Sequence, residues 1–201
     1  MTASILAAST KQALWFTSRG TGVVCLLLLT ASLVLGVVTS VRFETRHWPR
    51  FVIEGLHRNI SLLILVFIAI HVSTTVIDGY VKIGYIDAVV PFHSPYRAFW
   101  LGLGAVAFDL ILALAITSVL RARFGYRVWR AVHWSAYACW PIAMVHGLGT
   151  GGDVHETWML ALDAFALAAV CAAVCWRLLV ATAPEPIGVQ TTSVVTSRGR
   201  G

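Results

Sequence analysis

Charge is what this sequence has least of. Only 12% of its 201 residues are Asp, Glu, Lys or Arg, 58% are apolar, and mean hydropathy is +0.80. A soluble domain of this length needs a far more charged surface, so the composition points to an integral membrane protein. Acidic residues are scarcer than basic ones, nine against fifteen, for a net charge of +6. In a membrane chain such an excess sets orientation and implies no nucleic-acid partner. Cysteine is sparse too. Cys25, Cys139, Cys171 and Cys175 lie in apolar runs, without zinc-like spacing or pairing across polar loops. Cys171 and Cys175 are one helical turn apart and read as small residues at a helix contact, not as a redox pair. A strand is missing before "GLGTGG", Gly147 to Gly152, so this G-x-G-x-x-G reads as a flexible external loop and not a dinucleotide site. No repeat is visible. The first apolar run is too long for a cleaved signal and reads as an uncleaved span.

Five apolar segments are present instead, near 20–41, 57–78, 99–120, 128–148 and 157–181. Each is long enough to cross a bilayer, which takes roughly 20 apolar residues as a helix. The expected fold class is all-α, a bundle of five transmembrane helices over 20–181, behind a mildly polar leader at 1–19. The tail at 182–201 carries Pro184 and Pro186; it is expected to be disordered and too short for a soluble catalytic domain.

An odd number of spans puts the termini on opposite sides. The side with Arg42, Arg46, Arg50, Arg58, Arg121, Arg123, Arg127, Arg130, Arg177, Arg198 and Arg200 holds eleven basic residues. The other holds four: Lys11, Arg19, Lys82 and Arg97. The positive-inside bias predicts a multi-pass cell-membrane protein with the N-terminus outside and the C-terminus cytoplasmic. The 79–98 loop, where Pro91 and Pro95 bar a helix, is then external, as is the 149–156 loop with Asp153 and Glu156.

Histidines interrupt two of these spans. His57 and His71 lie in the second, fourteen residues apart, about 21 Å along a helix and within about 40° of one face. His133 and His146 lie in the fourth, which runs in the same direction, so the four fall at two matched depths. Two imidazoles facing each other across a helix pair can hold one haem iron, and two such pairs can hold two haems. With no C-x-x-C-H motif, these are non-covalent, b-type haems. Thirteen residues on an ideal helix leave His146 about 140° from His133, so that helix must deviate between them, and Pro141 is the expected kink. Interhelical hydrogen bonding is the structural alternative. A metal-ion pathway is another, but it calls for carboxylates or cysteines beside the histidines, and none is there.

The pattern His-x13-His on one helix and His-x12-His on a later one resembles the ferric reductase-like transmembrane domain of ferric reductases and NADPH oxidases. The resemblance covers 20–181. It implies that His57 and His133 ligate an inner haem and His71 and His146 an outer one. It also departs from the family. The chain has five spans where six are usual. Thr75 stands where family oxidases place another histidine, and the last-span arginine is Arg177, at the cytoplasmic end. These departures argue against superoxide production. Flavin and nicotinamide domains are expected to come from a separate flavoprotein carrying FAD or FMN.

Among the remaining candidates, Arg58 and Arg130 lie near the inner depth and read as partners for haem propionates or as positive-inside anchors. Trp140 lies between the two haem levels, or else packs against lipid. Asp109 reads as a functional group paired with Tyr137 or Trp140 or, equally, as a protonated structural aspartate, and Asp163 is expected to reach water. His47, His93 and His155 lie outside the spans and read as surface or interface residues; for the external His93 and His155 an acceptor site near the outer haem is the alternative. The resulting reading is an electron-transfer subunit that carries electrons across the membrane, ferric reductase-like, embedded in lipid. Its alternatives are a haem subunit serving an external FMN-binding or methionine sulfoxide reductase partner, and a haem-free scaffold.

Overall fold

The computed structural model describes residues 2–46, 48–78 and 83–182, and side chains from residue 9 onward within them. His47, Lys82 and the tail from residue 183 lie outside the described residues. Seven helices follow one another: α1 (Thr2–Ser40), α2 (Arg50–Asp78), α3 (Tyr85–Val89), α4 (Ala98–Val119), α5 (Arg121–His133), α6 (Ala136–Thr150) and α7 (Thr157–Thr182). No strand occurs among the described residues. Among the described residues, four stretches are long and apolar enough to cross a membrane: Ser9–Ser40, Arg50–Asp78, Ala98–Val119 and Thr157–Thr182.

Lipid offers the backbone no partners, so helix is the conformation these apolar runs must take. Their hydroxyls are satisfied the same way. Thr30 bonds back to the Leu26 carbonyl at 2.8 Å and Thr39 to that of Leu35 at 2.9 Å. α2 starts at the residue after Pro49, whose carbonyl accepts from Val52 at 3.0 Å. Large apolar side chains such as Phe51, Leu62, Val66, Phe165 and Leu179 face outward, as a lipid-facing surface requires.

The segment predicted as a fourth span is two helices. It tightens at Trp134–Ser135, where Ser135 N–H bonds Val132 O at 2.9 Å and Ala138 N–H bonds Ser135 O at 3.0 Å. The Ser135 hydroxyl takes the same Val132 carbonyl at 2.7 Å, a local bond that competes with the regular ladder. The expected kink at Pro141 is displaced: α6 runs through the proline and the irregularity falls before it. Each residue bonded three back turns about 120° instead of 100°, which brings His146 toward the face of His133. α6 alone has 15 residues.

α1 packs along α2 and also meets α6 and α7, while α4 packs on α5 and α6; His133 ends α5, and α2, with His57 and His71, shares no extended contact with α6, which carries His146. A layer of Ile64, Ala107, Ile111 and Cys139 closes the space between them at mid-depth, beside a second cluster of Leu26, Trp140, Ala166 and Val170. One end of the bundle is tied by an Arg19–Asp153 ion pair and by Arg97 donating to the Gly149 carbonyl at 2.8 Å. The other is tied by Arg177 donating to the Tyr137 hydroxyl and by Phe43 against Trp176, 5.5 Å between ring centres.

Several expectations change. The leader from residue 2 continues α1 as helix. Gly147 to Thr150 of the glycine-rich run are the last turn of α6, not a flexible loop. Cys171 and Cys175 are exposed; the helix contact on α7 is made by Ala166, Val170 and Ala173.

Candidate functional site

The four histidines come together in the two pairs that their depths predict. The ring centres of His57 and His133 are 6.2 Å apart with planes at 75°. His71 and His146 line one cavity of about 420 Å³ that opens toward the α3 and α6–α7 end of the bundle. The Ile64–Ile111–Cys139 layer separates the two levels.

What holds three of the four rings in place is a backbone carbonyl. His57 Nδ1 donates to Ser32 O at 2.9 Å, His71 Nδ1 to Ser18 O at 2.8 Å and His146 Nδ1 to Trp100 O at 2.8 Å. A carbonyl only accepts, so Nδ1 carries the proton in all three and Nε2 keeps a free lone pair. That is the tautomer a metal-ligating histidine needs, oriented by a partner behind it. Four residues after each accepting carbonyl comes a glycine: Gly36, Gly22 and Gly104. A Cβ would stand 3.4 Å from His57 at Gly36, 3.0 Å from His71 at Gly22 and 2.5 Å from His146 at Gly104. Hydrogen in place of a side chain is what lets the imidazoles lie against α1 and α4.

His133 is built differently. Its Nδ1 is buried without a hydrogen-bond partner, and Trp129 stacks on the ring at 4.8 Å and 24°. Trp129 belongs to a basic aromatic surface on α5, with Arg121 4.3 Å over its ring and Arg130 6.0 Å over that of Tyr126.

The other expected residues divide. Arg130 is exposed and on Tyr126; Arg58 is exposed on α2. Trp140 does not face lipid: it is 4% exposed and its indole donates to Thr30 at 2.9 Å. Asp109 is half-buried and bonds neither expected partner, since Tyr137 takes Arg177 and Trp140 takes Thr30. Asp163 does not reach water: it is buried, with Oδ2 unpartnered. Thr75 bridges from the His71 carbonyl, at 2.7 Å, to Ser18, also at 2.7 Å. His155 is exposed; His93 is bound to Asp87 at 2.7 Å. The Gly84 N–H and the His93 imidazole hold the Asp87 carboxyl below the usual carboxylate range.

Compared with known families, residues 21–144 match the ferric reductase like transmembrane component. The chain belongs to that family. No curated protein and no solved structure matches it significantly. Membership makes this ferric reductase-like chain a multi-pass membrane component of electron transfer. His57, His71 and His133 fall inside the matched region, and His146 lies two residues past its end.

Sequence reasoning found the histidines and missed what holds them. Ser18, Ser32 and Trp100 act through backbone carbonyls, which no residue type encodes. The glycines were a usable signal, because Gly22, Gly36 and Gly104 sit inside membrane helices, where small residues mark close approach.

Proposed function

We propose that the protein is a di-haem b-type cytochrome that carries electrons across the membrane, with His57 and His133 ligating the inner haem and His71 and His146 the outer one. The observation that supports this most is the shared tautomer: three of four histidines, on two helices, give Nδ1 to a carbonyl and keep Nε2 free. The residues fit the group in other respects too. α2 shares no extended contact with α6, and the outer cavity has a cofactor-sized volume. A bare-ion site fits less well, since among the described residues no three His, Cys, Asp or Glu side chains gather around one point.

Bound haem supplies one-electron chemistry, its iron alternating between ferric and ferrous. The chain's residues do the rest. The carbonyl bonds orient the imidazoles and raise their basicity. The Ile64–Cys139 layer and Trp140 keep water out between the levels. Arg58 and Arg130 offer charge to inner propionates. In this reading α6 makes the fourth of five passes, the N-terminus lies outside and the basic α5 end faces the cytoplasm. Electrons are exchanged there with a separate FAD- or FMN-bearing flavoprotein, and the lipid of the cell membrane surrounds the bundle.

The test is a reduced-minus-oxidised spectrum with haem quantified per chain. Two haems are expected, reducible by dithionite. NADPH alone is expected to leave them oxidised until a flavin reductase is added, because a nicotinamide site needs a strand-to-helix phosphate cradle that these helices do not provide. One haem at saturation means that one pair is not a ligand set.

A further inference from the structure

The two histidine levels differ in two independent ways that act on iron in the same direction. The first is the hydrogen bond behind each ring. At the outer level both imidazoles donate from Nδ1 to carbonyls, His71 to Ser18 and His146 to Trp100, each at 2.8 Å. At the inner level His57 does so, to Ser32 at 2.9 Å, while the buried Nδ1 of His133 has no partner. Donation to a carbonyl makes an imidazole a stronger electron donor through Nε2. A stronger donor favours ferric over ferrous iron and so lowers the potential. The outer level has two such bonds and the inner level one.

The second difference is charge. The outer cavity is lined by three carboxylates, Asp78, Asp87 and Asp153, against two guanidiniums, Arg19 and Arg97. Arg19 is paired with Asp153. Asp87 is 7% exposed, and the Gly84 N–H and the His93 imidazole hold its carboxyl ionised. The inner level has the opposite sign. α5, which ends in His133, carries Arg121, Arg123, Arg127 and Arg130 and no acid. The Arg121 guanidinium lies 4.3 Å over the Trp129 ring, and Trp129 stacks on His133 at 4.8 Å. On α2, near His57, Glu54 is matched by Arg50 at 3.6 Å and Arg58 is in excess. The neighbouring loop adds Arg42 and Arg46 against Glu44. Reduction adds an electron, so positive surroundings favour it and negative ones oppose it.

We propose that the inner site is built for the higher potential, so that the downhill direction between the levels is inward, from His71–His146 to His57–His133. This rests on the di-haem reading. The step moves one electron. Ferrous iron at the outer level becomes ferric, ferric iron at the inner level becomes ferrous, and no proton or bond is exchanged. A single electron entering from either face comes to rest at the inner level. Outward delivery is then an uphill step that the donor's reducing power must cover. Arg121 and Asp87 act as positioning charges, one on each side of the gap.

The experiment is a potentiometric titration of the full chain at about pH 8, where ordinary imidazoles are neutral and carboxylates charged. Haem is quantified first, and fewer than two per chain sinks the di-haem reading and this inference together. His71→Ala, which keeps the inner pair, and His57→Ala, which keeps the outer pair, assign the two spectral components. At the outer midpoint the inner haem is expected to be at least about tenfold more reduced than oxidised, a gap of about 59 mV for one electron. Arg121→Gln is expected to lower the inner potential and leave the outer one in place. Arg121→Lys keeps the charge and is expected to hold the parental value. Asp87→Asn is expected to raise the outer potential alone. In about 1 M salt, where charges are screened within about 3 Å, the gap should narrow and stay open, because the buried hydrogen bonds are not screened. An outer potential equal to or above the inner one overturns the proposal. So does a gap that neither Arg121→Gln nor Asp87→Asn moves. Equal shifts in Arg121→Lys and Arg121→Gln also overturn it, since they mark Arg121 as a brace for Trp129.

Discussion

The outer histidine pair is finished and the inner pair is half-finished. At the outer level both imidazoles are locked by carbonyls at 2.8 Å and both press on glycine. At the inner level only His57 is locked in this way; His133 has a buried Nδ1 without a partner and a tryptophan on its face. An unpaired buried donor or acceptor costs about 1–3 kcal/mol, so His133 is held by stacking against an electrostatic penalty. The cause is local. α1 and α4 run unbroken past the outer rings and offer carbonyls at fixed height. His133 ends α5, where the chain tightens before α6. The rigid level is the one next to the external cavity, and the looser level adjoins the basic, aromatic α5.

Ligand removal gives the largest effect. His71→Ala and His146→Ala are each expected to abolish the same outer haem and leave the inner one in place; His57→Ala and His133→Ala should do the converse. Haem quantification with low-temperature spectra reads this directly. Loss of one spectral component in both His57→Ala and His71→Ala would break the pairing by depth.

The next test sharpens the contrast through glycine. Gly104→Ala places a methyl 2.5 Å from the His146 ring, whereas Gly36→Ala places one 3.4 Å from His57, an ordinary contact. Overpacking of that kind costs about 1–3 kcal/mol, or roughly five- to 150-fold in affinity. Outer haem should fall about tenfold in Gly104→Ala, and inner haem should be retained in Gly36→Ala, measured by titrating haem into the apo-protein. Equal affinities in both variants would remove the close-packing argument.

These two tests mark where the sequence could and could not be read. The all-helical fold, the histidine pairs and the basic face followed from apolar length, a fourteen-residue spacing and arginine counts. Trp140 could be placed at mid-depth, but not assigned to Thr30, because its partner is 110 positions away on α1. The deviation in the fourth span is expected at Pro141 and falls instead at Trp134–Ser135, because hydropathy does not register Ser135 drawing the Val132 carbonyl away from the ladder. Asp109 was matched to aromatic neighbours by depth alone, and depth carries no information about which face of α4 it occupies.

A smaller effect is expected from Trp129→Ala. The stacked indole is what orients His133, and aromatic pairs contribute about 0.5–1.5 kcal/mol. If that energy differs wholly between oxidation states, the inner potential moves by about 20–65 mV, while the outer potential stays put. Redox titration followed at both spectral components reads both at once. A shift confined to the outer haem would reverse the assignment of levels.

The smallest effect concerns pH and the loop over the outer cavity. The Asp87 carboxyl, outside the membrane-spanning helices, is held low by named partners, the Gly84 N–H and His93. A carboxylate whose pKa is depressed on folding stabilises the folded form above its unfolded value, near 4, and loses that contribution as pH falls through the folded value. The 83–97 segment should therefore keep its protection from neutral pH down to about 4 and loosen below that. Hydrogen exchange at low pH, corrected for intrinsic rates, follows the Asp87 and Val90 amides, which bond Gly84 O at 3.0 Å and Ile86 O at 2.7 Å. Asp87→Asn cannot titrate, so its segment should show no such step. A step that persists in Asp87→Asn would assign the acid sensitivity to another group and leave the inner and outer ends of the molecule alike in this respect.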